Sequence, residues 1–496
     1  MYIKELLHNV QHSAPQDVLE MRVTGVKEHV DHVQPGNLFL VLPSSAGHDM
    51  HAVARDAALK GAIALVAEPQ VCQDLAKESP AAKLIPVSDM REARARIAAS
   101  CFPHQPRHVV AVTGTNGKTS TVEFFRQICT LMDKPSASIG TLGIHGTPPW
   151  IQEISSSLTS PAPFLLHQVL DRLARENVDY VAMEASSHGI HQKRLEAVNF
   201  QAAAFTNLSH DHLDYHGNVE AYFEAKKRLF SQVLGEGLTA IVNADDVNAP
   251  ELMRLCEKRH ERVFTYGKNG KEIKLEDVLL TENGQVISVE FFGRRYKIDF
   301  PLVGLFQVLN ALCAAGLACA VGLSPDDVVQ RLASLKSVPG RLQYVGTTRK
   351  KGHVYVDYAH TPHALESVLT TLKPHLRGPL VVVFGCGGER DVAKRRAMGE
   401  IAGLHAAKVI VTDDNPRSEK PEVIRAAVLE GCPDAHEIAD RRQAIHSALK
   451  GLGEHGVCVI AGKGHEQGQL VAGQVIPFDD VKVAQEILIQ LKGVVR

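Results

Sequence analysis

The stretch TGTNGKTS, residues 113–120, combines glycines, a lysine and hydroxyl side chains at a spacing that binds phosphate. Gly114, Thr115, Asn116, Gly117, Lys118, Thr119 and Ser120 follow an apolar strand, HVVAVT, and precede Val122, Phe125, Cys129 and Met132 at helical spacing. Strand, glycine turn and helix N-terminus offer main-chain N–H groups and the positive end of a helix dipole to an anion. Lys118 adds a point charge, and the Thr119 hydroxyl can reach a phosphate-bound Mg²⁺. The loop departs from the common pattern G-x-x-x-x-G-K-[ST], because Val112 stands where its first glycine belongs. The short step from Gly114 to Gly117 makes a tighter loop.

Other candidate groups lie at the ends of apolar runs. MEASSHG closes a strand at Glu184, TNLSHDHLDYHG supplies His212, and YFEAKKRLF supplies Lys226. Taken singly, Glu184 reads as well as a strand-end surface carboxylate, His212 as a structural histidine and Lys226 as a solvated helix lysine. Asn310, inside an uncharged apolar helix, needs hydrogen-bond partners that a nucleotide or the fold itself would satisfy. The glycines of FGCGGERD suggest a dinucleotide fingerprint, but the G-x-G-x-x-G spacing fails at Arg390.

The elements that must position these groups read as α/β. A chain of 496 residues suggests about three domains. NLFLVL and AIALVAE flank a helical MHAVARDAALKG, a βαβ rhythm for a small N-terminal α/β domain. HVVAVT, DYVAME, FQAAAFTN and LTAIVNAD alternate with helical stretches, as in a mostly parallel sheet, and QVISVEFFGRRYKIDF reads as an appended antiparallel hairpin. VYVDYAH, LVVVFGCGGERD, KVIVTDDNPR and VCVIAGKGHE each run from an apolar strand into a polar loop, so their loops predict one crevice beyond the strand ends. Proline-rich CFPHQPRHVV and the VPG of LASLKSVPGRLQYV mark breaks near 107 and 338, giving domains 1–107, 108–338 and 339–496. Both breaks are expected hinges.

Composition narrows the class. With 45% hydrophobic residues and a net charge of −2, the chain carries no electrostatic footprint of nucleic-acid binding. Nine scattered cysteines without a Cys-x-x-Cys pair argue against disulfides and thiolate metal sites, and suit a reducing cytoplasm. The N-terminal MYIKELLHNV lacks the apolar core of a signal peptide. Residues 305–323 are long and uncharged enough to span a bilayer, but their Ala and Gly content, Gln307, Asn310 and missing aromatic belt predict a buried helix and no membrane insertion.

TGTNGKTS, MEASSHG, DHLDYHG and YFEAKKRLF, in this order, resemble the Mur ligases, relatives of the folylpolyglutamate synthetases, which use ATP to join a carboxylate to an amine. The resemblance implies a central P-loop-type ATPase domain between a nucleotide-sugar domain and a C-terminal Rossmann-like domain. It implies ATP and two Mg²⁺ ions, with Thr119, Glu184, His212 and Lys226, as a carbamate, around the metal. It also implies Lys118 as a catalytic lysine and Asn310, Arg341 and Asp357 as further nucleotide contacts.

Within the family, VTGVKEHVDHVQPGNLFLVL, SLTSP and EASSHGIHQKRLEAVNFQAAAFTNLS are similar to the ligases that add the third residue of the peptidoglycan stem peptide. That similarity implies UDP-N-acetylmuramoyl dipeptide contacts at Ser44, Ser45, Thr159, Ser160, Ser186, Gln192 and Arg194. Asp414-Asn415-Pro416-Arg417 matches the family's signature for meso-diaminopimelate, with Arg390, Gly462 and Glu466 completing the implied pocket. Arg417 suits a distal carboxylate bidentately, a group lysine lacks, and Glu466 offers a counter-charge to the distal ammonium. His29-Val30-Asp31 stands where the family has Asp-Ser-Arg, His210 where it has arginine, and Gln307 where asparagine is common. A lysine-adding or folate-polyglutamating ligase, and a non-catalytic nucleotide-binding paralogue, are the competing readings. A monomer is expected.

Overall fold

Neighbouring side chains of two apolar runs divide between two cores and so build the first sheet. β1 (Gly25–Lys27), β2 (Asn37–Leu40), β3 (Ala64–Ala67) and β4 (Leu84–Pro86) lie in that order, all parallel. Leu38 and Leu40 pack with Val66, Ile85 and Ile97, whereas Phe39 and Val41 turn to the opposite face with Ala54, Leu65 and Ala67. Strands apolar on both faces are what a parallel sheet covered on both sides requires. The computed structural model describes residues 1–43, 49–78, 83–154, 158–209, 211–281, 284–389 and 391–493, so Ser44, Ser45, His210 and Arg390 lie outside the described residues.

The second sheet holds the phosphate loop. β5 (His108–Thr113), β6 (Ser136–Gly140), β7 (Gly143–Gly146), β8 (Tyr180–Glu184), β9 (Phe200–Phe205) and β10 (Thr239–Asn243) follow the order β10-β9-β5-β8-β6-β7. All pair in parallel except the edge strand β7. β5 sits between β8 and β9 with Val112 beside Glu184 and Thr113 beside Phe205. The loop after β5 and the Glu184 carboxylate therefore share the carboxyl edge of the sheet, where open α/β sheets bind ligands.

The first sheet and strands β5–β10 belong to one compact unit, Met1–Thr265 with Gly316–Leu323; the other unit is Tyr266–Ala315 with Ser324–Arg496. β11 (Arg262–Gly267) leads from one to the other. In the second unit β13 (Gln285–Phe291) and β14 (Arg294–Phe300) pair antiparallel, as QVISVEFFGRRYKIDF predicts, and β12 (Ile273–Leu280) adds antiparallel to β13. The two-residue turn Phe292-Gly293 has φ of 47° and 80°, the mirror-image turn whose twist suits a tight hairpin. The apolar run at 305–323 forms a helix, Leu305–Ala320, and among the described residues no helix is long and apolar enough to cross a membrane.

The last sheet comprises β15 (Gln343–Thr347), β16 (His353–Asp357), β17 (Leu380–Phe384), β18 (Lys408–Val411), β19 (His436–Glu437) and β20 (Val457–Ala461). Its order is β15-β16-β20-β17-β18-β19, with only β15 antiparallel. Val382, Phe384 and Val411 face one core, Val383, Ile410 and Ile460 the other. A hairpin of β21 (Gly468–Val471) and β22 (Gln474–Pro477) follows.

Candidate functional site

Gly114 and Gly117 shape the phosphate loop for different reasons. Gly114 has φ +144°, and a Cβ there would run into Thr206 Oγ1, with Asn207 N and O only 3.1 Å away. Gly117 is the left-handed N-cap, φ 85°, of the helix Lys118–Leu131. Segment Thr206–Ser209, after β9, braces the loop. Thr115 N donates to Asn207 O at 2.8 Å, Asn116 N to Asn207 Oδ1 at 3.0 Å, and Thr206 Oγ1 to Asn116 O at 2.6 Å. A preformed turn leading into a helix N-terminus is the geometry of an anion cradle.

Two lysines converge on one carbonyl. Lys118 Nζ donates to Gly114 O at 2.8 Å, and so does Lys226 Nζ, from 112 residues away. Lys226 is 1% exposed, with Nζ 4.2 Å from the centre of the Tyr222 ring. Burial, reinforced by the Lys118 charge, pushes the Lys226 amine well below the ordinary lysine range. Instead of the solvated helix lysine that its segment alone suggests, Lys226 is a buried, deprotonation-prone amine beside the phosphate loop.

Glu184 is buried and gripped on both oxygens. Thr119 Oγ1 donates to Oε1 at 2.9 Å, Thr141 N to Oε1 at 2.8 Å and Thr141 Oγ1 to Oε2 at 3.3 Å. Gly140 gives the carboxylate room, since a Cβ there would lie 2.7 Å from Glu184 Cδ. Ser160 Oγ donates to Glu184 O at 2.9 Å, lies 3.1 Å from Ser186 Oγ, and accepts from Ser186 N at 3.0 Å. Arg194 donates to Ser160 O at 2.9 Å and to Gln192 Oε1 at 2.6 Å, while Thr159 Oγ1 lies 3.1 Å from Thr141 Oγ1. Thr159, Ser160, Ser186, Gln192 and Arg194 thus form one polar network adjoining Glu184.

His212 stands apart from that network, half exposed at φ 52°, with Nε2 3.6 Å from Asp211 Oδ2. Its ring packs edge-on to His188 at 4.9 Å. Among the described residues no three His, Cys, Asp or Glu side chains are already gathered as a metal site. Thr119 and Glu184 supply adjacent hard oxygen donors, and a carbamate on Lys226 would add another, so the residues fit a Mg²⁺-nucleotide.

In the second unit, the loops after β16, β17, β18 and β20 meet as expected. Gly388 N donates to Asn415 O at 2.9 Å, Gly462 N to Asp357 O at 3.1 Å, and the Tyr358 and His465 rings lie 5.0 Å apart. Asp414 is buried, its Oδ2 has no hydrogen-bond partner among the described residues, and burial raises its carboxyl above the usual range despite Arg441 and Lys463. Gly462 makes way for it: a Cβ there would lie 2.7 Å from Asp414 Oδ2. Glu466 accepts from Asn415 Nδ2 at 2.9 Å and from Lys463 Nζ at 3.0 Å through the same oxygen, Oε2. Arg417, at φ 54°, donates to Gly388 O. Asn310 is buried, Arg341 stacks 5.1 Å from the Tyr358 ring, and Asp357 accepts from Leu342 N at 2.6 Å and Ala359 N at 2.8 Å.

Family models of the Mur ligase middle domain and of the Mur ligase, glutamate ligase domain match residues 112–318 and 340–464. A curated relative from Mesorhizobium japonicum, UDP-N-acetylmuramoyl-L-alanyl-D-glutamate--2,6-diaminopimelate ligase, is 46% identical over 465 residues, covering 93% of this chain and 94% of the relative. The chain belongs to the Mur ligase family. A solved structure of a ligase with the same name is 31% identical, with a TM-score of 0.73 and 100% of both chains covered. MurF from Thermotoga maritima in complex with ADP shares the three-domain α/β fold at a TM-score of 0.60 and 18% identity, over 95% of this chain and 98% of that one.

Several groups in the sites of this Mur ligase escape a reading of its sequence. Thr141 grips Glu184, and Thr206 and Asn207, which open TNLSHDHLDYHG, brace the loop, yet nothing in their residue types or spacing points to these partners. Lys463 is fully buried and donates to Asn415 Oδ1 at 3.1 Å. Its one legible signal is its place between Gly462 and Gly464, both at positive φ, just after an apolar strand. Arg441 and Asp480 form a buried bidentate pair at 2.7 Å, and the same guanidinium donates to Ala461 O and Asp413 O, tying two strand ends together.

Proposed function

We propose that this Mur ligase is an ATP-dependent amide ligase that joins meso-diaminopimelate to the γ-carboxylate of D-glutamate in UDP-N-acetylmuramoyl-L-alanyl-D-glutamate, a step in peptidoglycan precursor synthesis. The observation that carries the chemistry is the buried Glu184 carboxylate hydrogen-bonded to Thr119 at the mouth of the phosphate loop. The amino acid is assigned from Asp414-Asn415-Pro416-Arg417 and from the names of relatives 40–46% identical to this chain. The domains are 1–107 for the nucleotide sugar, 108–338 for ATP and 339–496 for the amino acid.

Residues Gly114–Ser120 hold the ATP phosphates, with Asn310, Arg341 and Asp357 as further nucleotide contacts. Thr119, Glu184, His212 and a Lys226 carbamate would hold two Mg²⁺, whose charge would screen the phosphates from an anionic nucleophile. A neutral buried amine is the form that reacts with CO₂, which is why the environment of Lys226 favours the carbamate. Thr159, Ser160, Ser186, Gln192 and Arg194 orient the muramoyl dipeptide, with Ser44 and Ser45 on its nucleotide side. The γ-carboxylate attacks the γ-phosphorus of ATP, ADP leaves, and Lys118 stabilises the transferring group. The amine of diaminopimelate then attacks the acyl phosphate, the amide forms and phosphate departs.

Arg417, Gly462 and Glu466 line the amino-acid pocket with Asp414 and Asn415, and Arg390 is assigned to it from the sequence GERD alone. Asp414 Oδ2, without a hydrogen-bond partner among the described residues, suits an ammonium, and Arg417 suits the distal carboxylate. Glu466, already bonded by Lys463 and Asn415, serves the ammonium with its other oxygen. Incubation with ATP, Mg²⁺ and the UDP-muramoyl dipeptide tests the reading: phosphate release requires diaminopimelate and is weak with lysine. Release that is independent of any amino acid refutes the ligase, and equal rates with both amino acids refute the role of Arg417.

A further inference from the structure

The β21–β22 hairpin buries little of itself. Every residue of β22 is exposed, Val475 by 69%. Its polar groups are directed instead at one segment, Asp413–Arg417. Arg417 N donates to Leu470 O at 2.9 Å and Ala472 N to Arg417 O at 2.7 Å, so that Arg417 pairs with Val471 as an added parallel partner. Leu470 N donates to Asn415 Oδ1 at 3.0 Å, and Gln469 Nε2 to Asp414 O at 2.8 Å and Asp413 O at 3.4 Å. Arg417 has φ 54°, a left-handed conformation that a non-glycine residue keeps only where its surroundings over-determine it. Main-chain bonds on both sides of Arg417 provide that constraint.

We infer that the 468–477 hairpin is a clamp that fixes the Arg417 backbone and so aims its guanidinium, making the hairpin, with Gln469 as a positioning residue, a determinant of selectivity between diamino acids with and without a distal carboxylate. The inference rests on the proposed reaction for its ligand. A bidentate fork tolerates little misalignment, and a displaced base moves the whole guanidinium. Selectivity therefore depends on residues that never touch the amino acid.

Two variants of the full chain test the clamp. Gln469→Glu loses the donor to the Asp413 and Asp414 carbonyls. Ala472→Pro loses the N–H bonded to Arg417 O and cannot adopt the φ of 47° found there. Each is expected to raise KM for diaminopimelate about tenfold and to cut the kcat/KM ratio of diaminopimelate to lysine by about as much, with KM for ATP within about twofold of wild type. Gln469→Lys, which keeps a donor, restores KM to within about threefold. Hydrogen exchange of residues 413–420 without substrates quickens in Gln469→Glu and Ala472→Pro. Unchanged exchange in both overturns the clamp, as does faster exchange with KM and selectivity within about twofold of wild type. A wild-type chain whose phosphate release ignores the amino acid refutes the reaction instead, and exchange then still decides whether the hairpin holds Arg417.

Discussion

Replacing Gly114 by alanine tests the phosphate cradle independently of turnover. At φ +144° the new Cβ overlaps Thr206 Oγ1, with Asn207 N and O at 3.1 Å behind it. Backbone strain at such a position costs about 1–3 kcal/mol, and overlap absorbed by packed neighbours about 1–3 kcal/mol more. Thr206 is poorly placed to yield, because Oγ1 donates to Asn116 O at 2.6 Å and to Thr113 O at 3.3 Å. The variant should lose about 2–6 kcal/mol. Adding Thr206→Ala removes the overlapped atom and leaves the backbone strain, so the double variant should be about 1–3 kcal/mol more stable than additivity predicts. The chain's single tryptophan, Trp150, is buried in the same core, and its fluorescence during urea unfolding reports the loss. Calorimetry with a non-hydrolysable ATP analogue should show binding at least about tenfold weaker in both Gly114→Ala backgrounds, because Gly114 O, the acceptor shared by Lys118 and Lys226, shifts. A single variant within about 0.5 kcal/mol of wild type, or strict additivity in the cycle, would refute the steric argument.

Lys226→Ala should lower kcat at least about a hundredfold, with partial rescue by a small added carboxylate; wild-type turnover in the variant rules out the carbamate. Asp480→Asn leaves the Arg441 charge buried without its partner and should cost about 3–5 kcal/mol in urea unfolding, whereas Arg441→Met with Asp480→Leu should recover most of it. Burial raises Asp357 to about 6 from the 3.8 of a free carboxyl. Between those values the folded chain binds a proton that the unfolded chain has lost, so the Asp357 contribution falls as pH rises through 3.8 to 6. Wild-type stability minus that of Asp357→Asn should therefore drop by about 3 kcal/mol from pH 3.5 to pH 7, and a flat difference refutes the burial argument.

Local physics is legible in the sequence where one short segment contains its own reason. TGTNGKTS declares a phosphate loop because strand, glycine turn and helix start are consecutive, and the structure forms that turn with Gly114 and Gly117 at positive φ. QVISVEFFGRRYKIDF declares its hairpin through period-two burial and a turn at Phe292-Gly293. The four strand-to-loop passages of the last sheet likewise announce a shared crevice, because parallel strands all present their carboxyl ends on one edge.

What the sequence by itself determined was therefore the α/β class, the phosphate loop, the family and the letters Asp414-Asn415-Pro416-Arg417. Only tertiary structure decided which residues complete each site. The order β9-β5-β8-β6 brings Thr206 and Asn207 to the loop and Thr141 to Glu184, and the helix Val219–Arg228 carries Lys226 to Gly114 O. It also showed Glu466 already bonded to Lys463 and Asn415, Asp414 with an oxygen unpartnered among the described residues, and a hairpin hydrogen-bonded to the Arg417 main chain on both sides. The physical reason is common to all of them. Strand order and the crossing of distant loops follow from how whole faces pack, and no single segment's periodicity records which partner it will meet.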